Sequence, residues 1–242
     1  METIVTILIP SLFVVGLVTE RLFPARPLPK VKRWLAKGIF FFLLTGAANA
    51  AIPALVAVAM GPHTPLHLSG LPTLAAAGLG FLASDFVAYW IHRTMHRFPG
   101  LWRWTHQMHH SAERMDLAGM TYNHPFDILL SFGLPSLAVG VLGLSPDAGA
   151  LAGFIGFLYA VIQHSNVRTP HFLGYVLQRP EMHALHHERG VHAYNYGNLP
   201  LWDMMFGTYR NPASFPAQYG FWDGASSRLG ALLVGRDVGQ RG

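Results

Sequence analysis

The chain has 242 residues, of which only 12% are charged and 51% are hydrophobic, and its 17 Lys plus Arg against 12 Asp plus Glu give a formal charge of +5. That balance excludes intrinsic disorder and is unlike an ordinary soluble domain. The absence of cysteine excludes a disulfide scaffold, a thiolate metal site, a cysteine nucleophile and a cysteine-held iron–sulfur cluster. Any metal must be held by nitrogen or oxygen, and 14 histidines make that possibility concrete.

Taken in chain order, an apolar run over 3–19 is expected to be a retained helix; it has neither the basic start nor the small-residue cleavage site of a signal peptide. Residues 38–84 carry no Asp, Glu, Lys or Arg, which is enough for two membrane spans, read as 38–60 and 71–92. A second apolar pair, 126–144 and 148–164, is broken by Ser145-Pro146-Asp147. The chain is therefore read as all-α: a polytopic membrane protein with four or five transmembrane helices and a cytoplasmic, histidine-rich helical cap.

The orientation follows from basic residues. Arg21, Arg26, Lys30, Lys32, Arg33 and Lys37 fall between the first two spans and put that loop in the cytoplasm. Arg93, Arg97, Arg103 and Arg114, and later Arg168, Arg179 and Arg189, bring both histidine-rich segments to the same face. Basic excess of this kind reads as topology and not as nucleic-acid binding, since no basic helix with interleaved aromatics is present. The expected organisation is N-terminal spans and basic loop over 1–79, a catalytic region with two further spans over 80–210, and a peripheral tail over 211–242. The tail's Phe215, Tyr219, Phe221 and Trp222 are expected at the lipid–water boundary.

Three windows hold eight of the histidines: His92 and His96; His106, His109 and His110; His183, His186 and His187. On a helix, positions i, i+3 and i+4 cover an arc of about 100°, so each window presents its imidazoles on one face. Crowded neutral imidazoles without a metal lose solvation and repel one another when protonated. Eight nitrogens exceed the need of one tetrahedral ion and fit two ions side by side; iron, zinc, copper and nickel all accept imidazole. His164 and His124 are candidates for a ninth and tenth ligand, and His192 is either a further ligand or a surface residue. His63, His67 and His171 read as ordinary histidines.

Asp85 lies seven residues before His92 on roughly the same helical face. It either accepts an imidazole N–H or packs as a polar residue between helices. Asn195 and Asp203 either orient the site or belong to a folded interfacial loop. Competing motifs fail: after His187-Glu188 the zinc-protease helix needs a histidine where Val191 stands, and no nucleophile elbow or phosphate-binding loop occurs.

In order, the three windows match the His-x3-4-His, His-x2-His-His, His-x2-His-His pattern, and the sequence resembles the integral-membrane fatty acid hydroxylase and sterol desaturase superfamily. The resemblance covers roughly residues 80–210 and includes Asp85-Phe86, His124-Pro125, Gln163-His164-Ser165-Asn166-Val167, Asn195-Tyr196-Gly197-Asn198, Trp202-Asp203 and Phe206-Gly207-Thr208-Tyr209. One departure is Arg168, four residues after His164, where some fatty acid hydroxylases have another histidine; the sterol-acting branch then implies His124 as the tenth ligand.

The resemblance implies an integral protein of a bacterial inner membrane or the endoplasmic reticulum. There, two iron ions, with zinc possible on isolation, would use dioxygen and two electrons to hydroxylate or desaturate an unactivated C–H bond of a lipid such as a sterol or fatty acyl chain. The electrons are expected from a separate ferredoxin- or cytochrome-type protein with its reductase. A membrane zinc hydrolase and a transition-metal transporter are the rival classes. The first needs fewer ligands and a carboxylate base, the second ligands strung along a path through the spans.

Overall fold

The computed structural model describes residues 2–61 and 64–240; His63 lies outside the described residues. Among the described residues eleven α-helices follow one another: α1 (Glu2–Leu22), α2 (Trp34–Met60), α3 (Thr73–Arg97), α4 (Pro99–Trp104), α5 (Gln107–His110), α6 (Leu117–Met120), α7 (Pro125–Leu142), α8 (Pro146–His164), α9 (Pro180–His186), α10 (Pro200–Met205) and α11 (Leu229–Leu233). No strand forms among the described residues; one isolated bridge joins Glu188 and Tyr219.

Five of these helices, α1, α2, α3, α7 and α8, are long and apolar enough to cross a membrane. Their outward faces are apolar as well: Val58 is 79% exposed, Leu74 76% and Leu55 67%, a surface that only hydrocarbon would solvate. The chain is an all-α polytopic membrane protein. The N-terminal apolar run belongs to the bundle, with Phe13 buried against Leu117, Met120 and Val161 and its ring stacked on Phe42 at 4.1 Å.

α3 lies against both α7 and α8, while α2 packs on α7 and α1 on α8. The close approach of α3 and α8 depends on Gly80, where a Cβ would meet Leu144 at 2.7 Å and Ala152 at 3.3 Å. α3 runs past residue 92, the expected end of its span, to Arg97, so His92 and His96 share one helix. Between α7 and α8 the chain turns through Gly143 in the left-handed conformation, and the Ser145 hydroxyl caps α8 by accepting the Ala148 N–H.

Short helices close one end of this bundle. The Ala25 N–H donates to Asn166 O at 2.8 Å, the Leu117 N–H to the Glu20 carboxylate at 3.1 Å, and the Thr121 hydroxyl to Gly38 O at 2.8 Å. These bonds bring the C-termini of α1 and α8 and the start of α2 to the cap, alongside the basic loop.

The sequence reads residues 211–242 as a peripheral tail with interfacial aromatics, whereas the described part, to residue 240, packs into the cap. Tyr219 is buried, Phe221 and Trp222 lie on the cluster formed by Trp34, Phe41, Met108 and Tyr122, and Leu232 and Val238 join that cluster. Two buried side chains hold the tail down: Glu113 accepts the N–H groups of Gly224 and Ser226, and Gln107 bonds Arg236 O and Val238 N. A Gly- and Arg-rich composition carries no sign of such pairing, because the partners are backbone groups.

Candidate metal centre

Among the described residues, nine histidines converge in two groups. One ring nitrogen from each of His92, His96, His106, His110 and His186 lies within 4.8 Å of the others, and the same holds for His109, His164, His183 and His187. Helical spacing decides which residue joins which group. The i, i+4 pairs His92/His96, His106/His110 and His183/His187 each stay together, whereas the i+3 residues His109 and His186 cross to the opposite group. Consecutive residues on a helix differ by about 100°, so a His-His dipeptide must aim at two places.

The edges have the length that a shared cation requires. Nε2 atoms are 3.0 Å apart in His110/His186, 3.2 Å in His109/His164, 3.1 Å in His164/His183 and 3.3 Å in His183/His187. Ligands about 2.1 Å from one ion are separated by about 3.0 Å in an octahedron and about 3.4 Å in a tetrahedron. Protonation agrees with this geometry. Nδ1–H groups donate outward: His92 to Tyr196 O at 2.8 Å, His96 to His192 O at 2.9 Å, His186 to Tyr194 O at 2.7 Å and His164 to Ala160 O at 2.9 Å. His106 Nδ1 donates to the Asp127 carboxylate at 2.7 Å.

Each of those rings then turns a bare Nε2 lone pair inward, and the Nε2 atoms of His92, His96 and His106 are buried with no hydrogen-bond partner. Unpaired buried acceptors are costly, and a cation at the centre of the group satisfies them. Burial, followed by neighbouring imidazoles, holds His106, His109, His110, His183, His186 and His187 well below the ordinary histidine range, so all six are neutral at pH 7 and able to ligate. The donor set fits two nitrogen-ligated transition-metal ions.

The loop after α9 supplies the carbonyl acceptors. His192, Tyr194 and Asn195 adopt φ values of 43°, 69° and 49°, the left-handed region that non-glycine residues rarely occupy. Asn195 holds this shape from a fully buried position: its amide donates to Met182 O and accepts the Arg210 N–H, each at 2.9 Å. Asp203 receives the N–H groups of Tyr196 and Gly197 at 2.8 and 3.0 Å, and the Thr208 hydroxyl at 2.6 Å. Asp85 receives the N–H groups of Asn198 and Leu199 at 3.0 and 3.1 Å, and the Trp202 indole at 2.9 Å.

The remaining candidates, Asp85, Asn195, Asp203, His124 and His192, stand outside both groups. Asp85 hydrogen-bonds the 198–202 segment and no imidazole; two helical turns separate it from His92, beyond the reach of a short side chain. Asn195 and Asp203 bear on the histidines only through the loop, as positioning residues. His124 stands outside both groups: its Nδ1 accepts the Phe126 N–H at the start of α7, and its Nε2 faces Leu233 O at 3.3 Å. His192 also lies outside, with its Nδ1 2.9 Å from Nδ1 of His110 and its carbonyl taken by His96.

Sequence reasoning missed Asp127, the carboxylate that orients a histidine, although it stands two residues after His124-Pro125 in the first turn of α7. It also missed the walls, where Tyr196 lies 5.3 to 5.4 Å from His92, His96 and His186, and Trp102 lies 4.9 and 5.1 Å from His96 and His110.

Fold and site together define a polytopic helical membrane protein whose cap carries two histidine groups able to hold metal ions. The family model described as fatty acid hydroxylase matches residues 77–208, more than half of the chain, and the chain belongs to that family.

Among curated relatives, the ornithine lipid hydroxylase OlsE of Rhizobium tropici is 30% identical over 182 residues, covering 70% of this chain and 53% of the relative. The sphingolipid C4-hydroxylase sur2 of Schizosaccharomyces pombe is 28% identical over 195 residues, 78% of this chain and 63% of the relative. The Delta(7)-sterol-C5(6)-desaturase of Nicotiana tabacum is 24% identical over 147 residues, 59% of this chain and 52% of the relative. The chain spans roughly half the length of most of these proteins. No solved structure matches it.

Proposed function

We propose that this protein is a membrane-bound di-iron oxygenase that hydroxylates or desaturates an unactivated C–H bond of a lipid such as a sterol or fatty acyl chain, its catalytic region lying within residues 80–210. The observation that carries the reading is the convergence of nine imidazoles into two adjoining groups. Two iron ions held there would supply the oxygen activation and take up the electrons.

The chain's own residues do the rest. His92, His96, His110, His186 and His106 would hold one ion, and His109, His164, His183 and His187 the other. Asp127 and the carbonyls of Ala160, His192, Tyr194 and Tyr196 fix ring tautomers, so the lone pairs need no reorganisation when metal arrives. Tyr196 and Trp102 shield the rings from water, and Asp85 and Asp203 keep the 195–199 loop in place.

The rival classes are disfavoured by the same geometry. Among the described residues neither group contains a carboxylate, and Asp127, the acid bonded to His106, is also engaged by the Ser131 hydroxyl, which disfavours a zinc hydrolase with a carboxylate base among its ligands. The ligands gather at one end of the bundle instead of lining a route through it, against a transporter. Basic residues around the α1–α2 loop support a cytoplasmic cap, in a bacterial inner membrane or the endoplasmic reticulum, facing a separate ferredoxin- or cytochrome-type electron donor.

Comparative lipid mass spectrometry of cells expressing the wild type or His186→Ala tests this. A species heavier by one oxygen or lighter by two hydrogens is expected only with the wild type, together with iron in the purified protein. Identical lipid profiles and a wild-type protein that takes up no iron would remove the reading.

A further inference from the structure

The N-terminus of α2 is charged the wrong way for a helix. Its cap residue, Arg33, sits at φ 56° and makes no side-chain capping bond, and the first turn contains no acidic residue. Lys32 and Arg33 flank it instead, and Lys37 stands in the first turn, where the helix dipole favours anions. Neither Lys32 nor Arg33 forms an ion pair among the described residues.

These three cations line a cleft of about 470 Å³ that no carboxylate lines. Ser227 and Leu229 face it from the C-terminal segment and Phe40 from α2. The Lys37 ammonium donates to Ser226 O at 3.2 Å, and Glu113, the carboxylate that acts on it, is engaged by the N–H groups of Gly224 and Ser226.

The cleft has two chemistries. Arg33 precedes the membrane span that begins at Trp34, and Phe40 follows Arg33 by about 10 Å along the helix. Phe40 is 62% exposed, a ring turned toward lipid. A positive mouth, an uncapped helix start and an apolar floor entering the bilayer together specify an amphiphilic anion. We propose that this cleft binds the phosphate of an anionic bilayer lipid, held by Lys32, Arg33 and the start of α2, with an acyl chain along Phe40. The site is independent of the metal centre, and its test does not read catalysis.

The purified full-length protein is reconstituted in phosphatidylcholine bilayers containing a minority of phosphatidylglycerol, and the lipids retained on gentle extraction are weighed by native mass spectrometry. Wild type should enrich phosphatidylglycerol. The pair Lys32→Gln and Arg33→Gly should reduce that enrichment about tenfold or more, whereas Lys30→Gln, an exposed cation outside the cleft, should leave it intact. Glycine suits the φ of Arg33, so the double variant retains the backbone shape, and an unchanged melting temperature verifies folding. No enrichment by wild type, or equal losses in the two variants, would overturn the proposal. Full displacement of the lipid by millimolar inorganic phosphate would overturn the lipid assignment, leaving a soluble-anion site.

Discussion

The imidazole rings of His110 and His187 lie face to face, with centroids 4.0 Å apart and planes 8° from parallel, and each belongs to a different histidine group. The two groups therefore share a wall, and an ion bound on one side stiffens a ring that borders the other. Removing either ring should perturb both sites. His110→Ala and His187→Ala are expected to lose iron from both groups, while His92→Ala, whose imidazole neighbours all belong to its own group, should lose only that group's ion. Iron per chain, measured by elemental analysis of the purified variants, decides; equal losses in all three would show that the stack couples nothing.

Asp127 is the one carboxylate bonded to a histidine of either group among the described residues, and it grips His106 across 21 positions of sequence. Asp127→Ala leaves the His106 Nδ1–H buried without its acceptor and frees the ring to turn. Loss of such a partner weakens metal affinity about 10- to 100-fold. Competition with a chelator should show this weakening in Asp127→Ala and only a smaller change in Asp127→Asn, which keeps an acceptor oxygen. A chelator midpoint unchanged in Asp127→Ala would reduce Asp127 to a packing residue.

His124 offers the sharpest separation between the motif and the geometry. Its ring nitrogens face the Phe126 N–H and Leu233 O, so it acts as the cap of α7 and an anchor for α11. His124→Ala should keep its iron while losing about 1 kcal/mol of stability from the missing cap. Iron loss comparable to that of His109→Ala would restore His124 as a ligand and require this segment to move when metal binds.

The parts of the molecule visible in the sequence are those with a side-chain period. Charge-free apolar runs gave the spans, and i, i+3, i+4 spacing gave the histidine windows, because both depend on residue type alone. What stayed hidden depends on backbone. The acceptors for His92 and His186 are the carbonyls of Tyr196 and Tyr194, atoms that every residue carries, presented by a loop in left-handed conformations. Asp85 is legible as an acid within a span, yet its partners are the amides of Asn198 and Leu199, more than a hundred residues away. Asp127 carries no mark of its role in the sequence, since its tie to His106 exists only once the fold brings the start of α7 to the residue that precedes α5.

The neutral state of the cluster has a consequence for stability against pH. His106, His109, His110, His183, His186 and His187 lie well below 6.5 because of burial and then mutual repulsion, whereas in the unfolded chain they titrate near about 6.5. Above that pH both states are neutral and these groups contribute no pH dependence. Below it the unfolded chain binds protons that the native state refuses, so stability falls as pH drops, by up to about 1.4 kcal/mol per pH unit for each such histidine. Metal binding sharpens the trend, because it too requires neutral rings. His192, which burial brings down to about 4, adds in the same direction. Thermal unfolding of the detergent-solubilised protein should therefore give a melting temperature that is flat from pH 8 to about 7 and falls steeply below about 6.5. A melting temperature that stays constant or rises as the pH is lowered to about 5 would mean that the rings are protonated, solvated and not gathered as described.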